Sequence, residues 1–435
     1  METTAPNAQL DQKKAIYSWA FYDWANSAFA TTVIAGFFPL FFSAYWAPTD
    51  PIASTYWLGV ANSLEAIIVA LMAPFLGAIA DRMSGKKKLL ALFAFLGALM
   101  TGCLSLIAYG MWQIAAIVYI FGAIGFSGAN IFYDALLTGV ASEKKVDFVS
   151  SLGFALGYIG GGLLFVINVL MYLMPAAFGI PDDVTAIKLS FLSVGIWWAV
   201  FSIPILLFVK EPKTNPGITV RQAIKEGIDQ LRSTFKKIRQ MKYVWLFLIG
   251  YWFYIDGVDT IIRMAVDYGI KLGFDSSALI IALLLVQFVA FPGTLLYNKY
   301  AEKVGPKKAV MTAIVAYSIL TIFGAFMQTE WHFFTLAIVI GCFQGGIQAL
   351  SRSLYSRLIP KEHSGEFYGF FNMLGKFAAV VGPFLMGVTT LLTGEIRFGI
   401  ISILILFVIG GFCLSRVDMV EGEKMAAVLS RSINP

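Results

Sequence analysis

The chain has 435 residues, 58% of them hydrophobic and 13% charged, with a formal net charge of +6. That balance excludes a water-soluble domain, in which about a quarter of residues are charged, and the bases are too dispersed among loops to form a nucleic-acid surface. Three cysteines far apart in sequence and two histidines give no paired metal-ligand spacing, so neither a metal nor a cofactor is expected.

Residues 1–15 form a polar tail with no apolar core and cleavage site of the signal-peptide kind. Twelve apolar segments long enough to cross a bilayer follow: 16–46, 54–80, 88–109, 112–138, 152–174, 187–209, 243–270, 277–298, 309–328, 331–357, 368–393 and 397–417. They predict an all-α integral membrane protein with one six-helix bundle over 16–209, a second over 243–417, a linker at 210–242 and a tail at 418–435. With the N-terminus inside, 26 of the 32 Lys and Arg residues fall on one side, so both termini are expected in the cytoplasm. His332 and His363 stand near predicted helix ends and read as solvated loop residues.

In the first segment Asp23, Asn26, Ser27 and Ala30 share one helical face. The second carries Glu65 at depth, and the fourth carries Asp134. Between the second and third, Gly77, Asp81, Arg82, Gly85 and Lys86 to Lys88 put an acid, bases and a turn glycine at one corner. Glu302, Lys303, Gly305 and Lys307 repeat that set between the eighth and ninth. We read both as gates: Asp81 is suited to accept from a helix N-terminus, and the bases to bridge the inner seam.

The linker opens on Asn215-Pro216-Gly217. Val220, Ile224, Ile228, Leu231, Phe235 and Ile238 then recur every three or four residues, which predicts a basic amphipathic helix along the inner surface.

The seventh segment holds Asp256, Asp259, Arg263 and Asp267 within a sector of roughly 80° at 100° per residue. An ionised side chain costs roughly 2.5–3.5 kcal/mol at mid-membrane, so this stripe needs partners, water or a solute. One account is an intrahelical ladder of Arg263 with Asp259 and Asp267. It leaves Asp256 and Asp259 as the sharper candidates for a solute or proton, with Asp267 interfacial. Arg352 in the tenth segment and Lys376 in the eleventh complete the intramembrane set. An offset of 218 pairs Asp134 with Arg352 and Gly157 with Gly375, as parallel repeats do.

Over its whole length the chain resembles the major facilitator superfamily, on the Gly77 to Lys88 segment and the six-plus-six count. Tyr22-Asp23-Trp24-Ala25-Asn26-Ser27-Ala28-Phe29 is similar to the opening of its Atg22-like (UMF1) branch. That resemblance implies efflux of an amino-acid-like solute by alternating access, with the first and seventh helices lining a central cavity. The fourth segment has no arginine and the fifth has glycines without proline, so these motifs imply no coupling mode.

The expectation is a monomeric secondary transporter in the bilayer of the cell inner membrane, binding a small-molecule substrate and protons, and not an enzyme. A lipid flippase, a drug or siderophore exporter and a non-transporting sensor remain open alternatives.

Overall fold

A computed structural model describes residues 10–47, 50–82, 85–141, 146–211, 220–359, 364–378 and 380–433. Among them there is no strand. We number the helices α1 (Lys13–Trp46), α2 (Pro51–Arg82), α3 (Lys86–Leu106), α4 (Trp112–Val140), α5 (Val146–Leu173), α6 (Asp183–Phe208) and α7 (Val220–Gln240). They continue as α8 (Lys242–Lys271), α9 (Ser276–Val304), α10 (Pro306–Ala325), α11 (Glu330–Leu358), α12 (Ser364–Phe377), α13 (Val381–Thr393), α14 (Ile396–Ser415) and α15 (Met419–Ile433). Eleven of these runs are long and apolar enough to span a membrane, and α13 is a shorter apolar helix.

The predicted eleventh span is therefore not one continuous helix. It is α12 and α13, separated at 378–380. Pro383 near the start of α13 has no amide hydrogen to continue a helical ladder from upstream. The first span also departs from a uniform α-helix, being π-helical at Phe29–Phe37 and Phe42–Trp46.

Contacts divide the chain into two units, one of residues 1–47 with 71–228 and the other of 48–70 with 229–435. The N-terminal part of α2 thus belongs with the second unit. In lipid, close helix packing rests on small residues rather than on hydrophobic collapse. In the first unit Gly97 faces the buried Trp198 ring, Gly125 approaches the Gly97 backbone, and Gly195 approaches Ala98, joining α3, α4 and α6. In the second, Gly293 meets Cys342 and Gly345 meets Thr294 between α9 and α11, while Gly250 meets Gly410 and Cys413 between α8 and α14. The cysteines are free packing residues. His332 has a more specific place than a loop: with Thr329 it forms a capping box that starts α11. His363 lies outside the described residues.

Candidate functional site

In the first unit, α1 presents Asp23 half-buried toward α4 and α5. Tyr133 Oη donates to Asp23 Oδ2 at 3.2 Å, and Trp19 Nε1 donates to the Tyr133 carbonyl at 3.0 Å. The Trp19 and Tyr133 rings stack with centroids 4.2 Å apart. One turn on, Asn26 Nδ2 donates to Asn130 Oδ1 at 2.5 Å.

Glycines on α5 make this arrangement possible. A Cβ on Gly153 would sit 2.8 Å from Tyr133 Oη and 3.0 Å from Asp23 Oδ2; one on Gly157 would sit 2.6 Å from Ser27 Oγ. Asp23 and Ser27 therefore pack directly against the glycine face of the fifth span. The side chain of Tyr158, 40% exposed, lies on the same helix. Among the described residues no Lys or Arg pairs with Asp23. A carboxylate with aromatic neighbours and no base suits a proton or an organic ammonium group. Asp134 lies in the same unit and is exposed.

In the second unit the partners of Arg263 extend beyond its own helix. Arg263 Nη1 donates to Glu65 Oε2 at 2.7 Å and to Asn62 Oδ1 at 3.3 Å, so its ion pair runs to α2. Asp267 is fully buried: it accepts from Thr55 Oγ1 at 2.7 Å and pairs with Lys271 at 3.3 Å. Lys271 also donates to Ser54 Oγ at 3.0 Å. Gly59 adds a close crossing, since a Cβ there would clash with the Pro383 carbonyl oxygen.

Asp256 has a task that its place in the stripe did not reveal. Its carboxylate accepts from the amides of Val381 and Gly382, each at 3.0 Å, and so caps α13. Free amides at a helix N-terminus favour an anion there. Ser63 Oγ of α2 donates to the carbonyl of Val380, the N-cap residue of α13, at 2.7 Å. The start of α13 is thereby held from two neighbouring helices. Asp259 is half-buried in the field of Arg263 and Glu65. Arg352 is exposed. For Lys376 only the helical backbone is described.

At the corner motifs, Gly85 and Gly305 both take positive φ, 106° and 88°, which a side chain would resist. For Gly77, Asp81 and Arg82 only the helical backbone is described. The α3 N-terminus carries the carboxylate of Glu211, unremarked in the sequence: it accepts from the amides of Gly85 and Lys87, both at 2.7 Å. Lys87 Nζ donates to the Val209 carbonyl at 2.7 Å, and Lys307 Nζ to those of Ser415 at 3.1 Å and Val417 at 2.7 Å. In each unit, then, a motif lysine ties its helix to the end of the unit's last span. Lys86 is buried, whereas Glu302 and Lys303 are exposed.

The family described as "Vacuole effluxer Atg22 like" matches residues 51–427. The protein called "Uncharacterized MFS-type transporter YxiO" from Bacillus subtilis (strain 168) is 42% identical over 399 residues, which are 90% of this chain and 92% of that one. Autophagy-related protein 22 of Yarrowia lipolytica is 28% identical over 313 residues, 65% of this chain; the match spans about half, 52%, of the fungal protein. A solved D-xylose-proton symporter superposes with a TM-score of 0.68 at 16% identity, covering 94% of this chain and 98% of that one. The xylose transporter XylE from E. coli, inward open, gives 0.67 at 15% identity, covering 92% and 96%. At such identities the likeness is one of fold.

Proposed function

Because the chain belongs to the Atg22-like family and is a multi-pass MFS-type transporter, we propose that it exports a small zwitterionic, amino-acid-like solute across the cell inner membrane by alternating access. On this reading it is a monomer with both termini in the cytoplasm, and it couples transport to protons. The observation that carries the reading is the Asp23–Tyr133 pair, a membrane-embedded carboxylate with an aromatic wall and no basic partner among the described residues. Asp23 holds the ammonium group or the coupled proton, and Tyr133 orients the carboxylate. In the second unit, exposed Arg352 suits a solute carboxylate and Asp259 a proton. Asp256 is left to its cap.

The test is reconstitution into vesicles containing a pH-sensitive dye, challenged with a panel of amino acids. Solute-dependent proton movement is expected, lost in Asp23→Asn and kept in part by Asp23→Glu. A vesicle in which no solute moves, or in which Asp23→Asn transports normally, overturns the reading.

A further inference from the structure

We propose that the C-terminal half of α7 binds the headgroups of anionic phospholipids and so fixes the linker to the bilayer surface. Its depth follows from connectivity. Only Met241 separates Gln240, the last residue of α7, from Lys242, the first of the spanning helix α8. The end of α7 is therefore held where a span begins, at the membrane–water boundary.

The side chains of this half divide by direction. Thr234 and Ile238 are buried, and the Phe235 ring meets Trp245 edge-on at 5.6 Å and Phe370 at 6.0 Å. Phe235 still leaves 39% of its surface exposed. At 100° per residue, Arg232, Lys236 and Arg239 fall within about 60° of one another on the side next to Phe235. All three are exposed, and no carboxylate among the described residues pairs with them. Lys242 adds a fourth exposed base at the same level. The one acid in Asp229–Gln240, Asp229, lies beyond Lys236 at the far edge of the sector.

An exposed aromatic edge flanked by bases, at interfacial depth, matches the layered chemistry of a lipid surface: acyl chain below, phosphate above. Long basic side chains reach headgroups from such a position while their stems stay on apolar ground. A soluble acidic partner would meet the charge but would have no use for Phe235 at that depth.

The experiment uses the full chain in phosphatidylcholine vesicles carrying a trace of spin-labelled phosphatidylglycerol or spin-labelled phosphatidylcholine. The ratio of motionally restricted label at the protein surface measures preference. A preference for phosphatidylglycerol is expected, falling as salt rises and losing up to about fivefold for each base removed in Arg232→Gln, Lys236→Gln and Arg239→Gln. Arg232→Lys with Arg239→Lys should keep it. A triple Gln variant with unchanged thermal unfolding and unchanged preference overturns the proposal, as does a preference indifferent to salt. If the triple variant fails to fold, Lys236→Gln alone decides by the same criterion. None of these readouts depends on which solute is transported.

Discussion

Asp256 Oδ1 accepts the amide hydrogen of Gly382 at 3.0 Å across 126 residues of sequence, and Oδ2 takes the neighbouring amide of Val381. This charge-assisted cap replaces the helical bonds that the break at 378–380 removes. Hydrogen bonds to a charged group contribute about 1.5–3 kcal/mol, and amides left bare in an apolar site cost more. Asp256→Ala is expected to lower stability by about 2–4 kcal/mol. Asp256→Asn, which keeps an acceptor oxygen, should cost less. Thermal unfolding of the detergent-solubilised protein compares them; equal midpoints for Ala and wild type would remove the cap from the account.

Arg263 and Glu65 form an ion pair with side chains 17% and 4% exposed. Removing one partner of a buried pair strands the other, at a cost of about 3–5 kcal/mol. Glu65→Gln and Arg263→Met should each be strongly destabilising, and the double variant less so than their sum. A double-mutant cycle on unfolding free energies measures the coupling; simple additivity would mean that the two charges act independently.

Gly161 and Gly162 are adjacent on α5 yet meet different surroundings. A Cβ on Gly161 would lie 2.9 Å from the Ser27 carbonyl oxygen, whereas one on Gly162 meets nothing within 4 Å. Gly161→Ala should destabilise by about 1–3 kcal/mol because backbone must move. Gly162→Ala should be neutral or stabilising by up to about 1 kcal/mol through helix propensity. The order of their unfolding midpoints checks both statements.

Asp182 caps α6 by accepting from the Thr185 amide at 2.6 Å, and that backbone bond holds its carboxyl below the ordinary range. A carboxyl whose folded pKa is lowered stabilises the fold above its unfolded value, near 3.9, and ceases to do so as pH falls through the lowered one. Amide exchange in the first turn of α6, corrected for intrinsic rates, should therefore speed up as pH drops below about 4. Asp182→Ala should show fast exchange at every pH. A pH-independent wild type would show that the cap does not govern this turn.

Long apolar runs made the spans legible, and the three-and-four periodicity of Val220 to Ile238 did the same for α7, because both signals are local. What escaped depended on distance in sequence. The spacing of Arg263 from Asp259 and Asp267 points to pairs within one helix and gives no sign of Glu65, 198 residues away, which accepts from the guanidinium. Asp256 likewise looked available until α13 supplied two amides for it. Gly382-Pro383 was the one local sign of the break, and it is ambiguous because transmembrane helices tolerate both residues. Glu211 sits just past an apolar run, where nothing in its own neighbourhood points to the turn at Gly85. Asp23 was readable from its polar face, and its packing against glycine could be found only in three dimensions.

The pairing of Glu65 with Arg263 also sets a timetable for biogenesis. Glu65 leaves the ribosome 198 residues before its partner, an interval of roughly 10–40 s at 5–20 residues per second. Lys87 and Val209 are made within that interval, so the first unit can tie its closing bond while the carboxyl of Glu65 still lacks its guanidinium. Until Arg263 is inserted, the nascent protein must keep that side chain protonated, hydrated or sheltered by the insertion machinery. Maturation of the second unit thus draws on a residue made with the first.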